Sequence, residues 1–314
     1  MPAGKHAPLP KSARSGGRTP VSDPLFERVA LIGIGLIGSS LARVLRRNKL
    51  AGHIAIATRT PKTLAAAKRL KLGHSFTTDP ARAVRGADLV VVCTPMSAYA
   101  DIARAIAPAL SPDAIISDVG SVKSPVARDI GQALPKGVHL VPGHPIAGTE
   151  HSGPEAGFAE LFRGRWCILT PDAKTDKKAV ARVAEFWRRA GSTVAVMDAL
   201  HHDRVLAITS HLPHLIAYTI VDTAAQLEKD VRGEVIKFSA SGFRDFTRIA
   251  ASDPVMWRDI FLANREAVLE ILQRFNEDLT ALQRAIRQSD GKMLEETFRR
   301  TRAIRKGVID ARQA

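Results

Sequence analysis

Arg28-Val-Ala-Leu-Ile-Gly33-Ile-Gly35-Leu-Ile-Gly38, running into Ser39-Ser-Leu-Ala-Arg-Val-Leu-Arg-Arg47, decides the fold class. A short apolar run reads as a buried strand. Three glycines then recur as Gly-x-Gly-x-x-Gly, and apolar residues return at helical spacing. In that setting Gly33 permits a tight turn, Gly35 lets the backbone approach a pyrophosphate, and Gly38 lets strand and helix pack closely. The start of the helix offers N–H donors and the positive end of its dipole to phosphates. Leu36 and Ile37 at the turn, with Thr94 and Pro95 at the end of a later strand, complete the expected nucleotide contacts.

Outward from this unit the same alternation continues. A strand is expected over His53–Thr58, a helix over Lys62–Leu72, a strand over Asp88–Thr94, a helix over Tyr99–Leu110 and a strand over Ala114–Asp118. Short apolar strands alternating with helices mean βαβ units, hence an α/β, Rossmann-type, doubly wound and mostly parallel sheet. Arg165–Thr170 and Ser192–Met197 are further strand candidates, with a helix over Lys177–Ala190 between them. From Asp198 the strand-like runs stop. A helix over Ala199–Lys229 contains Pro213, which should kink or break it. Asp253-Pro254 is an N-cap followed by Pro at the first helical position, opening a helix to about Ile286. Asp290-Gly291 punctuates, and a last helix runs to about Asp310. The expected organisation is a basic disordered tail over 1–25, a dinucleotide-binding domain over 26–198 and an all-helical domain over 199–314.

The chain has 314 residues, with 45% apolar and 25% charged, which suits ordinary globular domains and excludes wholesale disorder. The longest unbroken apolar stretches have strand length, short of the ~18 residues a membrane helix needs. The net charge is +15. Four cations (Lys5, Lys11, Arg14 and Arg18) fall in the first 22 residues, which hold no acid, leaving +11 for the rest. Aromatics are only 5%, too few for a base-stacking surface, so the charge points to a multiply anionic small molecule rather than to nucleic acid. The tail has no secretory apolar core and reads as an extension. Cys93 and Cys167 form neither a disulfide framework nor a metal-ligand spacing, which favours a reducing, cytoplasmic location. No metal site is expected: His211 and His214 share a helix face, but no carboxylate or cysteine completes a set.

The second strand carries the cofactor choice. An acid holding the adenosine ribose is expected at its end. That position is Thr58, followed by Arg59 and Thr60, and no Asp or Glu occurs from Arg28 through Thr78. Arg59, with Thr58 and Thr60 as hydroxyl donors, suits a 2′-phosphate, so NADP or NAD is expected with a lean to NADP.

Two further strings carry the chemistry. Asp118-Val-Gly-Ser121-Val-Lys123 ends a strand of the parallel sheet, where ligands bind in such folds. His144-Pro-Ile-Ala-Gly-Thr149-Glu150 follows. In the helical half come His202-Asp203-Arg204, Ser210-His211-Leu-Pro-His214, Gly242-Phe-Arg244-Asp245-Phe-Thr247-Arg248 and Trp257. In this order, over about residues 28–290, these motifs resemble the prephenate/arogenate dehydrogenase family. One departure is Ser239-Ala-Ser241-Gly242, where a more glycine-rich run is usual. The resemblance implies an NAD(P)-dependent oxidative decarboxylase of tyrosine biosynthesis. It implies His144 as acceptor of the substrate hydroxyl proton and Ser121 as its positioning partner. It implies Arg248 as carboxylate anchor and Arg244 and His214 as further substrate contacts. Thr149, Glu150, Asp203 and Asp245 would organise or gate the site. It also implies a homodimer through the helical domain, with Trp257 near the partner's site.

The plain readings are a solvated helix start for His201-His202, core packing for Cys93 and Trp166, and Arg248 as a structural partner of Asp245. Alternative functions are another two-domain hydroxy-acid or imino-acid dehydrogenase, or a non-catalytic dinucleotide sensor. Neither explains His144-Pro-Ile-Ala-Gly joined to Phe243-Arg-Asp-Phe-Thr-Arg248.

Overall fold

Strand β1 (Phe26–Ile32) is buried on both faces, because its alternate side chains serve two cores. Val29 and Leu31 pack with Leu41, Val44 and Leu45 of helix α1 (Leu36–Arg47), and Ala30 and Ile32 pack into the opposite cluster. That two-sided burial is why the strand reads as an unbroken apolar run. In this computed structural model the described residues are 23–226, 237 and 240–310. The expectations for residues 1–22, for the end of the helix reaching Lys229 and for Ser239 lie outside them.

Around β1 the strands β2 (Ala51–Ala57), β3 (Ser75–Thr77), β4 (Leu89–Val92), β5 (Ile115–Asp118) and β6 (His139–Leu140) form one parallel sheet, in the order β3-β2-β1-β4-β5-β6. Helices α2 (Pro61–Arg69), α3 (Pro80–Val84), α4 (Tyr99–Ile106) and α5 (Ser124–Asp129) connect them. The order reverses between β1 and β4, which opens a crevice at the carboxyl ends of these strands. Three strands lie outside the expected set. β3, β6 and β7 (Gly143–Pro145) have two or three residues each, too few for a pattern to show. β7 pairs antiparallel with β8 (Trp166–Leu169), and β8 pairs parallel with β9 (Thr193–Val196), as a separate small sheet backed by α6 (Lys177–Arg189). Trp166 lies on β8, half-buried.

From Ala199 onward the described chain is helical. The stretch Ala199–Ala225 is by length and composition alone sufficient to cross a membrane, yet it carries buried His202, Asp203 and His211. Pro213 does perturb it, as expected, in the form of a π turn over Ala207–His211 between α7 (Ala199–Leu206) and α8 (Leu212–Ala225). A proline lacks the N–H of a regular turn, and a π turn absorbs the mismatch, often at functional sites. The expected helix from Pro254 to Ile286 is instead two helices, Pro254–Ala263 and Arg265–Arg287. Asn264 breaks it at φ −108°, ψ 31°, because its buried side chain is drawn off to other partners. Helices Ser241–Thr247 and Gly291–Asp310 complete the described set.

Candidate active site

The glycine loop fits a dinucleotide. Gly33 has φ +98°, and a Cβ there would stand 2.7 Å from the Cys93 carbonyl oxygen. A Cβ on Gly38 would stand 2.2 Å from the Gly33 carbonyl oxygen, so helix and strand touch backbone to backbone. A Cβ on Gly35 meets nothing within 4 Å, leaving open space beside the start of α1. No side chain caps that helix start, and its first turn holds no acid, so its N–H groups and dipole are free for phosphate. Leu36 and Ile37 are half-buried there. Thr94, at the end of β4, buries its Oγ1 with no partner, and Pro95 beside it is exposed.

At the end of β2, Thr58 is half-buried and Arg59 exposed, with no hydrogen bond or ion pair to Arg59 among the described residues. Thr60 is engaged otherwise. Its Oγ1 accepts from Thr63 N at 3.2 Å as the N-cap of α2, so of the three residues only Thr58 and Arg59 have side chains without a local hydrogen bond among the described residues.

Beyond β5 the backbone is pinned by a buried cluster. Asp118 accepts from Gly120 N at 2.8 Å, from Tyr99 Oη at 3.0 Å and from Gly143 N at 3.2 Å, and it forms an ion pair with Lys123. Lys123 Nζ also donates to the Gly143 carbonyl at 2.8 Å. Burial pulls the Lys123 ammonium below its ordinary range against the attraction of Asp118. These bonds join the loop bearing Ser121 to β7, which carries His144.

His144 is 9% exposed, on a strand whose pairing with Ile168 fixes its direction. Its Nδ1 lies 2.9 Å from His202 Nε2, and His202 Nδ1 lies 2.7 Å from Asp203 Oδ1. Asp203 further accepts from Lys123 N at 2.7 Å and Ser124 N at 2.8 Å. Asn264 Nδ2 donates to the Asp203 carbonyl at 2.8 Å and approaches His211 Nδ1 at 3.1 Å. His202 is therefore no solvated helix start: it is fully buried, with one ring nitrogen against His144 of β7 and the other against Asp203. His202 lies in the His202-Asp203-Arg204 motif, but nothing in that motif tells its burial or its partner, and neither Lys123 nor Asn264 is marked as a site organiser by sequence alone. Burial, then His202, Lys123 and His211, hold the His144 imidazole well below its usual range, so it is neutral at pH 7.

His214 stacks on Trp257 with centroids 3.6 Å apart and planes 24° apart, and its Nδ1 meets the Ser210 carbonyl at 2.9 Å. Trp257 is packed among Val122, Ile260 and Phe261 of its own chain. Burial lowers the His214 pKa, and the nearby Arg248 charge adds to this. Arg248 pairs with Glu150 at 3.5 Å, not with Asp245, and is mostly exposed. Glu150 is held below its ordinary range by its own backbone N–H first, then by His151 and Arg248. Thr149 is committed locally, accepting from His151 N at 3.2 Å. Ser121 is half-buried between Gly120 and Val122. Arg244 and Asp245 are exposed on the Ser241–Thr247 helix and make no side-chain hydrogen bond or ion pair to this cluster among the described residues.

A family model described as prephenate dehydrogenase, nucleotide-binding domain, matches residues 41–196, and one described as prephenate dehydrogenase, dimerization domain, matches residues 198–300. A cyclohexadienyl dehydrogenase of Zymomonas mobilis is 44% identical over 281 residues, covering 90% of this chain and 96% of the relative. A prephenate dehydrogenase of Bacillus subtilis is 31% identical over 283 residues, covering 90% and 76%. The crystal structure of prephenate dehydrogenase from A. aeolicus with hydroxyphenyl propionate and NAD+ superposes with a TM-score of 0.84 at 36% identity, covering 90% and 98%. Synechocystis arogenate dehydrogenase superposes with a TM-score of 0.76 at 27% identity, covering 90% and 99%.

Proposed function

The chain belongs to the prephenate dehydrogenase family, and from that premise we propose how its residues carry out NAD(P)-dependent oxidative decarboxylation of prephenate, or of its amino counterpart arogenate, in tyrosine biosynthesis. The substrate is a cyclohexadiene with a 4-hydroxyl, a ring carboxylate and a three-carbon side chain ending in a second carboxylate. Oxidising C4 needs a base at the hydroxyl and cations at the carboxylates. A bound oxidised nicotinamide supplies the hydride acceptor.

His144 is the base. What carries this assignment is its place: a buried imidazole kept neutral at pH 7, tied to the Ser121 loop through His202 and Asp203. It takes the hydroxyl proton as the C4–O bond becomes a carbonyl. Loss of the ring carboxylate as CO2 then returns an electron pair to the ring, and the phenolic oxygen recovers the proton His144 has held. Ser121 positions the same oxygen. Arg248 binds a carboxylate with its planar fork, and on substrate entry this replaces its contact with Glu150. His214, stiffened by its stack on Trp257, lines the substrate side, and Arg244 and Thr149 contribute at its edge. Absorbance at 340 nm with prephenate or arogenate and either oxidised nucleotide tests the reading. His144→Asn should keep nucleotide binding and lose ~10²–10⁴-fold in kcat; a loss below threefold would remove His144 as base.

NADP is accepted well, and preferred, because no acid at the end of β2 repels a 2′-phosphate and Arg59 is unengaged there. Arg59→Ala should raise the KM for NADP ~10–150-fold, the equivalent of one charge-assisted contact, and leave that for NAD nearly unchanged. The helical half supports a homodimer. Leu269, Leu279, Ile286, Phe298 and Ile304 are exposed on its long helices, and an open groove of about 630 Å³ runs beside Leu269, Leu272 and Thr280. Light scattering should give twice the 33.9 kDa chain mass. The ligand is a small anion, not nucleic acid or a membrane, and the free state of Cys93 and Cys167 favours a cytoplasmic location.

A further inference from the structure

A histidine acts as a base at one ring nitrogen only if the proton sits on the other. The site contains what decides this. Burial favours the neutral form of Asp203, but hydrogen bonds from His202, Ser124 and Lys123 outweigh it and hold the carboxyl below its ordinary range. Asp203 is therefore a carboxylate, with no proton to donate. His202 Nδ1, 2.7 Å away, must carry the hydrogen of that contact. With the single ring proton of His202 placed at Nδ1 by that contact, the remaining nitrogen, Nε2, is a bare acceptor. His144 Nδ1, 2.9 Å from it, must donate, and His144 Nε2 is left with its lone pair.

We propose that His202 and Asp203 are positioning residues that fix His144 as the Nδ1–H tautomer and so present its bare Nε2 to the substrate hydroxyl. This rests on the reading of His144 as base. It assigns a role to two side chains that do not touch the reacting atoms. The hydroxyl proton moves to Nε2 while Nδ1–H stays bonded to His202, and the positive charge formed on the ring is balanced through His202 by the Asp203 carboxylate. The same carboxylate grips the N–H groups of Lys123 and Ser124, so the tautomer and the Ser121 loop are set by one group.

The first test needs no substrate. In the full-length protein labelled with ring-15N histidine, a long-range 1H–15N correlation spectrum separates pyrrole-type from pyridine-type nitrogens. The His144 ring, among the 10 histidines, is identified by its loss in His144→Asn. The expected result is a protonated Nδ1 and an unprotonated Nε2 at pH 7.5. A protonated Nε2 would overturn the proposal. This readout is independent of whether prephenate is turned over, so its failure and that of the functional reading are distinguishable. The second test is kinetic. His202→Phe, which offers no acceptor, should lower kcat by ~10²-fold with the KM for prephenate within about twofold, and should shift His144 toward the Nε2–H form. His202→Gln, whose amide oxygen can accept at the place of Nε2, should recover at least tenfold of that loss. A folded His202→Phe protein with kcat within threefold of native, or a Gln variant no better than Phe, would refute the positioning role. If His202→Phe fails to fold, the spectrum of the native protein and the Gln variant decide the matter.

Discussion

Gly35→Ala separates the nucleotide site from the stability of the fold. The added Cβ has no heavy atom within 4 Å, and Gly35 sits at φ −82°, ψ −159°, a conformation alanine adopts without strain. Replacing glycine at an N-cap costs a few tenths to one kcal/mol, and restricting the unfolded chain returns ~0.4–1 kcal/mol, so stability should change by less than about 1 kcal/mol. On a chain of this size that is a Tm shift of at most ~2–4 °C. Nucleotide binding should not be spared. The methyl occupies the open space at the start of α1 and holds the pyrophosphate off the helix N–H groups. Losing one charge-assisted hydrogen bond of ~1.5–3 kcal/mol weakens binding ~10–150-fold. Gly38→Ala is the contrasting control. Its Cβ would lie 2.2 Å from the Gly33 carbonyl oxygen and 3.3 Å from Cys93 Cβ. The ~1 kcal/mol gained in helix propensity cannot offset an overlap with backbone, so Tm and affinity should fall together. Calorimetric melting and NAD titration on both variants make the comparison. A Gly35→Ala protein with native nucleotide affinity would mean that the pyrophosphate does not sit on this helix start.

Arg248→Lys keeps the charge but loses the planar fork, so the KM for prephenate should rise at least tenfold with little change for nucleotide; an unchanged prephenate KM in a folded variant would remove the anchor role. The acid limb of kcat should lie below pH 6.5 rather than near the ordinary histidine value, because burial holds His144 in its neutral form; a limb at or above pH 6.5 would contradict that placement. Stability should fall on acidification before the carboxylates titrate. Burial lowers His211 to about 4, so below pH 6.5 the unfolded chain takes up a proton that the folded one refuses, at a cost of ~2 kcal/mol by pH 5 from this residue alone. Equal urea midpoints at pH 7 and pH 5 would refute the buried, neutral state.

The elements legible in the sequence are those whose cause is local. β1 shows as an unbroken apolar run, and its glycine turn shows in its spacing: Gly33 has a positive φ, and the 2.2 Å approach at Gly38 is to the Gly33 carbonyl oxygen five residues before it. The Asp253-Pro254 start is equally local, with Asp253 Oδ1 accepting from Met256 N at 2.8 Å. The break at Asn264 is different. Nothing in Ala263-Asn-Arg-Glu forbids a helix, and the interruption follows from hydrogen bonds to the Asp203 carbonyl and His211, 61 and 53 positions away. A helical pattern can report that a face is apolar but not that one side chain will be pulled out of register by a distant partner.

His202 marks the same limit within the site itself. His201 and His202 are consecutive, both follow the Asp198 cap, and chemically they are identical, yet one is exposed and the other fully buried. Their difference is decided by about 100° of rotation around α7 and by what lies there, namely His144 of β7. The constrained position of His144 is legible because Pro145 and the small residues after it declare a tight turn. The proton-bearing nitrogen we propose for it is not, because that depends on His202, 58 positions on, and on the ionisation of Asp203 one residue further. A motif can therefore point to a candidate base without fixing its tautomer. The tautomer is a property of the packed chain of three groups, and a substitution two links from the substrate can switch off a base that remains perfectly placed.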